Sequence, residues 1–73
     1  MTETFPQRLR RMRLRMGMTQ SQLADMCYVH ENSIFGYESG RTTPSADVLC
    51  TIADAFEVSV DYLLCRTENP TTL

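Results

Sequence analysis

The sequence predicts an all-α domain of five short helices packed around one core. Apolar residues recur at three- and four-residue spacing, which is typical of amphipathic helices, and the two-residue alternation of a β-strand never persists. Capping and helix-stop residues separate these segments at short intervals. With 73 residues, the chain has room for one domain with a modest core.

The first helix is predicted over residues 6–16. Pro6 suits the first turn of a helix, and Gly17 is a typical C-terminal cap because it adopts left-handed backbone angles at little steric cost. The stripe expected to face the core, at helical spacing, consists of Phe5, Leu9, Met12 and Met16.

A capping box predicts the start of the second helix. Thr19 is the expected N-cap, and Gln22 three residues later allows each side chain to satisfy a backbone N–H of the other residue. We expect this helix to end near residue 26 or 27 and to direct Leu23, Ala24 and Cys27 inward. The small side chain of Ala24 permits another helix to approach closely.

A third helix is predicted over residues 30–39, after a short connection. Ile34 and Tyr37 supply apolar residues at a spacing of three, and Ser39-Gly40 is a helix-stop signal. The second and third helices are therefore close neighbours in the chain, joined by a turn.

The fourth helix is predicted over residues 46–56, with Ser45 as its N-cap. Its apolar face is the clearest in the chain and consists of Val48, Leu49, Ile52, Ala53 and Phe56. Ser59 and Asp61 begin a last short helix. We assign residues 1–66 to the folded domain and residues 67–73 to a polar tail that frays at its end.

Composition argues against several functional classes. The three widely spaced cysteines and single histidine offer no zinc-binding set. The odd number and wide spacing of the cysteines predict reduced thiols and therefore a cytoplasmic protein. No stretch has the length of a signal peptide's apolar region or of a membrane span. We expect no cofactor, no metal, no small-molecule ligand and no enzymatic activity, since no catalytic constellation is recognisable.

Charge is distributed unevenly along the chain. Five of the seven basic residues, all arginines, precede residue 17 and face one acid there, whereas two arginines and eight acids follow. Arg8, Arg11 and Arg15 share one stripe of the first helix. This stripe is interpreted either as a track for phosphate groups or as a solvated helix face, and the pattern alone favours neither.

Residues 18–64 resemble the Cro and repressor family of phage and bacterial helix-turn-helix regulators, and Leu9 and Arg13 extend the resemblance over most of the chain. The matching residues are Thr19-Gln20, Leu23-Ala24, Val29, Ile34, Tyr37-Glu38-Ser39-Gly40, Pro44-Ser45, Ile52-Ala53-Asp54-Ala55 and Val58-Ser59-Val60-Asp61-Tyr62-Leu63-Leu64. The resemblance implies a transcriptional regulator that binds double-stranded DNA as a homodimer. Its third helix would lie in the major groove while the second crosses the backbone.

The resemblance also implies roles for individual residues. The positions whose side chains most often meet base edges in the family are Glu31, Asn32 and Gly36 in this chain. Phe35 is their exposed neighbour and is expected to pack on a thymine methyl group. The positions that approach the sugar-phosphate backbone are Gln20, His30, Ser39, Arg41 and Thr43. Arg13 and Glu38 match a partly buried ion pair that ties the first helix to the end of the third, and this pair is interpreted as structural.

The reading face departs from the family's usual composition. Many relatives carry arginine, lysine or glutamine where this chain has Glu31 and Gly36, and a carboxylate beside phosphates weakens binding. The alternative interpretation is a protein-interaction module that keeps the fold, with Tyr28, Phe35 and Leu14 as an exposed apolar patch.

Overall fold

The computed structural model describes residues 3–71, and these residues form five helices and no strand. The helices are α1 (Phe5–Arg15), α2 (Gln20–Cys27), α3 (Glu31–Ser39), α4 (Ala46–Phe56) and α5 (Val60–Leu63). The predicted fold class is confirmed, and α4 has the predicted bounds. The first helix lies one residue earlier than predicted, and α3 begins after His30 rather than at it.

Side-chain caps determine where the helices start. The capping box of α2 is present: Thr19 Oγ1 accepts from Gln22 N at 3.0 Å, and Thr19 N donates to Gln22 Oε1 at 2.8 Å. The hydroxyls of Ser45 and Ser59 accept from the third residue of α4 and α5, respectively. Each cap satisfies a backbone N–H that has no partner within its own helix.

The core receives one completely buried large side chain from every helix. These residues are Leu9, Leu23, Ile34, Ile52 and Leu63. Each contributes roughly 1.5–3 kcal/mol by leaving water. The predicted inward positions of α2 are buried, with Ala24 at the packed face, whereas Met16 is exposed because α1 ends before it.

Arg8 does not belong to a solvated stripe. Its side chain is 3% exposed, and its guanidinium donates to the backbone oxygens of Tyr62 and Thr67 at 2.7 and 3.2 Å and to the carboxylates of Glu3 and Glu68. It also lies 4.2 Å from the centroid of the Tyr62 ring. Arg11 is likewise paired with Glu3 at 2.7 Å. Neither arginine is therefore a free phosphate contact.

Residues 67–70, which were predicted to belong to a polar tail, are hydrogen-bonded to the domain. Thr67 and Glu68 bind Arg8, and the amide of Ser59 donates to the carbonyl of Pro70 at 2.9 Å. Hydrogen bonds and an ion pair thus hold this polar segment against the domain.

Glu3 gives the stability of the domain an acid dependence. Hydrogen bonds from Arg11 and Arg8 outweigh the effect of burial and lower the pKa of its carboxyl from 4.5 to about 2. Because the pKa of Glu3 is lower in the folded protein than in the unfolded chain, its ionised carboxylate stabilises the fold at pH values above about 4.5. This contribution disappears as the pH falls from about 4.5 to 2. Urea unfolding followed by circular dichroism should show wild type and Glu3→Gln differing in stability at pH 6 and converging near pH 2.

Glu57→Gln is the matched control, because Glu57 is exposed and forms no ion pair within residues 3–71. A constant difference between wild type and Glu3→Gln across this pH range would contradict the assignment.

Within residues 3–71, no helix is long and apolar enough to cross a membrane. In the same part of the chain, no group of three histidine, cysteine or acidic side chains is placed to hold a metal ion. The three cysteines are free thiols.

Candidate nucleic-acid interface

The turn between α2 and α3 sets the angle at which α3 leaves the domain. Tyr28 takes left-handed backbone angles, with φ at 60°, and the amide of Val29 bonds back to the carbonyl of Ala24 at 3.0 Å. A left-handed conformation costs a residue with a β-carbon roughly 1–2 kcal/mol. The Tyr28 side chain does not recover this by burial, since the residue is 90% exposed.

His30 caps the start of α3. Its Nδ1 accepts from the backbone N–H of Asn32 at 3.0 Å. The proton of the neutral ring therefore lies on Nε2, which remains available as a donor at an exposed helix start. The capping role and a phosphate contact are thus compatible at this residue.

Arg13, Glu38 and Gln20 form one network that joins three helices. Arg13 Nε donates to Glu38 Oε2 at 2.6 Å and Nη2 donates to Oε1 at 3.0 Å, with side chains only 9% and 4% exposed. Gln20 Nε2 donates to the same Oε1 at 3.1 Å. This places α2 against α3 and fixes the amide of Gln20 at the start of α2.

Three of the four predicted base-contacting residues are exposed on α3: Glu31, Asn32 and Phe35. The fourth, Gly36, is buried, and a β-carbon placed there would lie 2.5 Å from the hydroxyl of Thr42. Gly36 is therefore a close-approach glycine, and its position on the face of α3 is covered by Thr42. Gly36 as a base contact stays a prediction, with the side chain of Thr42 lying beside it.

The predicted backbone contacts after α3 differ in availability. Arg41 and Thr43 are exposed. The hydroxyl of Ser39 donates to the carbonyl of Gly36 at 3.2 Å, so its single proton is not available for a phosphate oxygen. Ser39 is accordingly better placed to stabilise the end of α3.

Arg10 is a candidate that sequence reasoning missed. It borders a depression together with Gln20, Phe35 and Ser39, whereas Arg41 borders the adjoining depression with Asn32 and Phe35. Arg10, Arg15 and Arg41 form no ion pair within residues 3–71. Arg10 lies three residues before Arg13 and therefore on the side of α1 nearest α3. This spacing is the signal that could have identified it.

Comparison with known proteins agrees with this arrangement. The helix-turn-helix family profile matches residues 9–63. The HTH-type transcriptional regulator YobD of Bacillus subtilis is 39% identical over 66 residues, which cover 90% of this chain and 59% of that protein. The CTXphi transcriptional repressor RstR of Vibrio cholerae is 40% identical over 60 residues, covering 82% and 54%. The chain thus spans little more than half the length of these two curated relatives.

Solved structures show the same fold. The P22 c2 repressor in complex with a synthetic operator superposes with a TM-score of 0.83 at 30% identity, covering 86% of this chain and 96% of that one. The restriction-modification controller protein C.AhdI of Aeromonas hydrophila gives 0.76 at 29% identity, covering 81% and 89%. These proteins are regulators rather than enzymes. The chain belongs to the helix-turn-helix family, in the group that contains the Cro-like and repressor-like regulators of phages and bacteria.

Proposed function

We propose that this domain binds double-stranded DNA for a transcriptional regulator, with α3 in the major groove and α2 across the backbone. The observation that carries the proposal is that Arg10 and Arg41, both free of carboxylate partners within residues 3–71, border the two depressions that adjoin at Phe35 on α3. The net charge of −2 does not prevent binding, because the charge of the surface that faces DNA matters more than the sum over the chain.

Base readout is assigned to the exposed side chains of α3. The amide of Asn32 matches the N6 and N7 atoms of adenine, and Phe35 suits the methyl group of thymine. Glu31 accepts from N4 of cytosine, which makes it a selective group rather than a source of affinity.

Backbone contacts are assigned to groups around these readers. Gln20 retains one amide proton after its bond to Glu38, His30 offers Nε2–H, and Thr43 offers a hydroxyl. Arg10 and Arg41 supply the charge. Such contacts position the protein without selecting a sequence.

We infer a homodimer on a pseudo-palindromic operator, since two copies of α3 spaced by about 34 Å reach successive major grooves on one face of the duplex. The expected dimer surface lies near the C-terminal helices. The candidate residues there are Phe56, Glu57, Val58, Val60, Tyr62 and Cys65. Val58 is buried in the core, whereas the other five are half-buried or exposed.

Selection from a random duplex pool at low and moderate salt tests the proposal. We expect a dyad-symmetric motif and a steep loss of affinity as salt rises. Arg41→Ala should weaken binding to all duplexes and reduce the salt slope by about 1, whereas Asn32→Ala should relax preference at one base position, worth roughly 1–3 kcal/mol.

Arg66→Ala is the matched control, because it also removes an exposed arginine charge, in this case one that is paired with Asp61. Enrichment of no sequence at either salt would refute the DNA-binding proposal. Unchanged binding by both the Arg41 and Asn32 variants would refute the docking geometry.

The interaction-module alternative rests on the exposure of Tyr28 and Phe35, at 90% and 49%. Leu14, the third member of the expected patch, lies instead in a depression among Arg10, Arg11 and Arg15. The three side chains therefore do not line one apolar depression, and the DNA-binding proposal accounts for Phe35 better.

A further inference from the structure

Thr42 takes the place of a side chain that α3 lacks. A β-carbon on Gly36 would lie 2.5 Å from Thr42 Oγ1, 3.7 Å from Thr42 Cβ and 3.8 Å from Thr42 Cγ2. All three side-chain heavy atoms of Thr42 are thus gathered where the side chain of residue 36 would begin. Residue 42 is exposed, so the other side of its side chain faces solvent.

The loop after α3 holds Thr42 in this position. Gly40 turns the chain with φ at 78°, and the amides of Arg41 and Thr42 then donate to the carbonyl of Gly36 at 2.9 and 3.3 Å. Residue 42 is therefore anchored to the same residue that its side chain covers. Such anchoring lowers the conformational entropy that a contact through Thr42 would lose.

The position that Thr42 covers lies on the same face of α3 as Asn32. Asn32 and Gly36 are four residues apart and so lie on the same face of the helix, one turn from each other. Asn32, Phe35, Gly36, Arg41 and Thr42 border one common depression. A side chain over Gly36 is thus presented beside Asn32 to whatever enters this depression.

We propose that Thr42, from outside α3, is a specificity-determining residue that contacts the base pair next to the one read by Asn32. This inference rests on the proposed DNA-binding function. A threonine hydroxyl donates to or accepts from base edges, and its methyl group packs on the thymine methyl. The proposed recognition surface is therefore composite, because α3 supplies several reading side chains and the loop after it supplies one more.

The experiment repeats the duplex selection with Thr42→Val, which replaces the hydroxyl by a methyl group of similar size, and with Thr42→Ala, which removes both the hydroxyl and the methyl group. We expect preference at one base position of each half-site to change roughly tenfold in one or both variants. A change in Thr42→Val assigns readout to the hydroxyl, and a change confined to Thr42→Ala assigns it to the methyl group. Thr43→Val is the control and should weaken all sequences equally.

Gly36→Ala provides an independent route to the same result. Its β-carbon displaces Thr42, so the same base position should change, while Gly36→Ala in the Thr42→Ala background should add no further change there. Circular dichroism verifies that each variant remains folded.

The possible failures are distinguishable. If wild type selects a motif and both Thr42 variants select it with unchanged weights, the inference is overturned and the proposed function stands. If wild type selects no motif, both are overturned.

Discussion

Replacement of Glu38 by glutamine is expected to lower the free energy of unfolding by about 3–5 kcal/mol, because it leaves the buried guanidinium of Arg13 without a counter-charge. The two side chains are 9% and 4% exposed, so water cannot replace the lost carboxylate. For a domain of this size such a loss is a large fraction of the total stability. Urea unfolding followed by circular dichroism measures it.

A double variant separates charge stranding from loss of packing. Arg13→Met/Glu38→Leu removes both charges and keeps much of the apolar volume, and it should be considerably more stable than Glu38→Gln. Equal destabilisation by the two variants would mean that the pair contributes packing and geometry rather than charge compensation. Because Glu38 also holds Gln20 at 3.1 Å, weaker DNA binding by the stable double variant would report on that positioning.

Arg8→Met is the second substitution with a large expected effect, on the order of 3 kcal/mol. Methionine retains much of the apolar stem but cannot bond the carbonyls of Tyr62 and Thr67 or the carboxylate of Glu68. The segment after α5 should then detach. The amide of Ser59, which donates to Pro70, reports this directly, and its hydrogen exchange should accelerate relative to that of core amides.

Arg66→Ala is the comparison variant for Arg8→Met, since Arg66 is exposed and its pair with Asp61 is long, at 3.5 Å. Its cost should stay below about 1 kcal/mol. If Arg8→Met were equally mild and left the Ser59 amide protected, the C-terminal segment would have to be held by other contacts. Arg8→Lys tests whether charge alone suffices, because an ammonium cannot span the same four acceptors.

Local signals predicted the scaffold well. The bounds of α4 follow from Ser45 and a periodic apolar face, and the start of α2 follows from two residues three positions apart. These features depend on neighbours within one or two turns, which a sequence displays directly. The five-helix architecture then follows because the apolar face of each helix must be covered by the apolar faces of other helices.

The features that the sequence pattern did not predict concern residues whose partners lie outside their own helix. Arg8 looked like a surface cation because its acceptors Tyr62 and Glu68 lie 54 and 60 positions away. Gly36 had no local explanation because the side chain that covers it belongs to Thr42, beyond the end of α3. Charge patterns and helical wheels carry no information about such tertiary contacts.

The core described above, with one fully buried side chain from each helix, has a consequence for the proposed binding to DNA. Detaching α3 alone would pull Ile34 out of a cluster shared by all five helices and leave a void that the remaining helices cannot close. Local opening of α3 therefore approaches the free energy of global unfolding. The helix proposed to read DNA is thus already folded in the free protein, so the proposed association would not have to include the entropy of folding it.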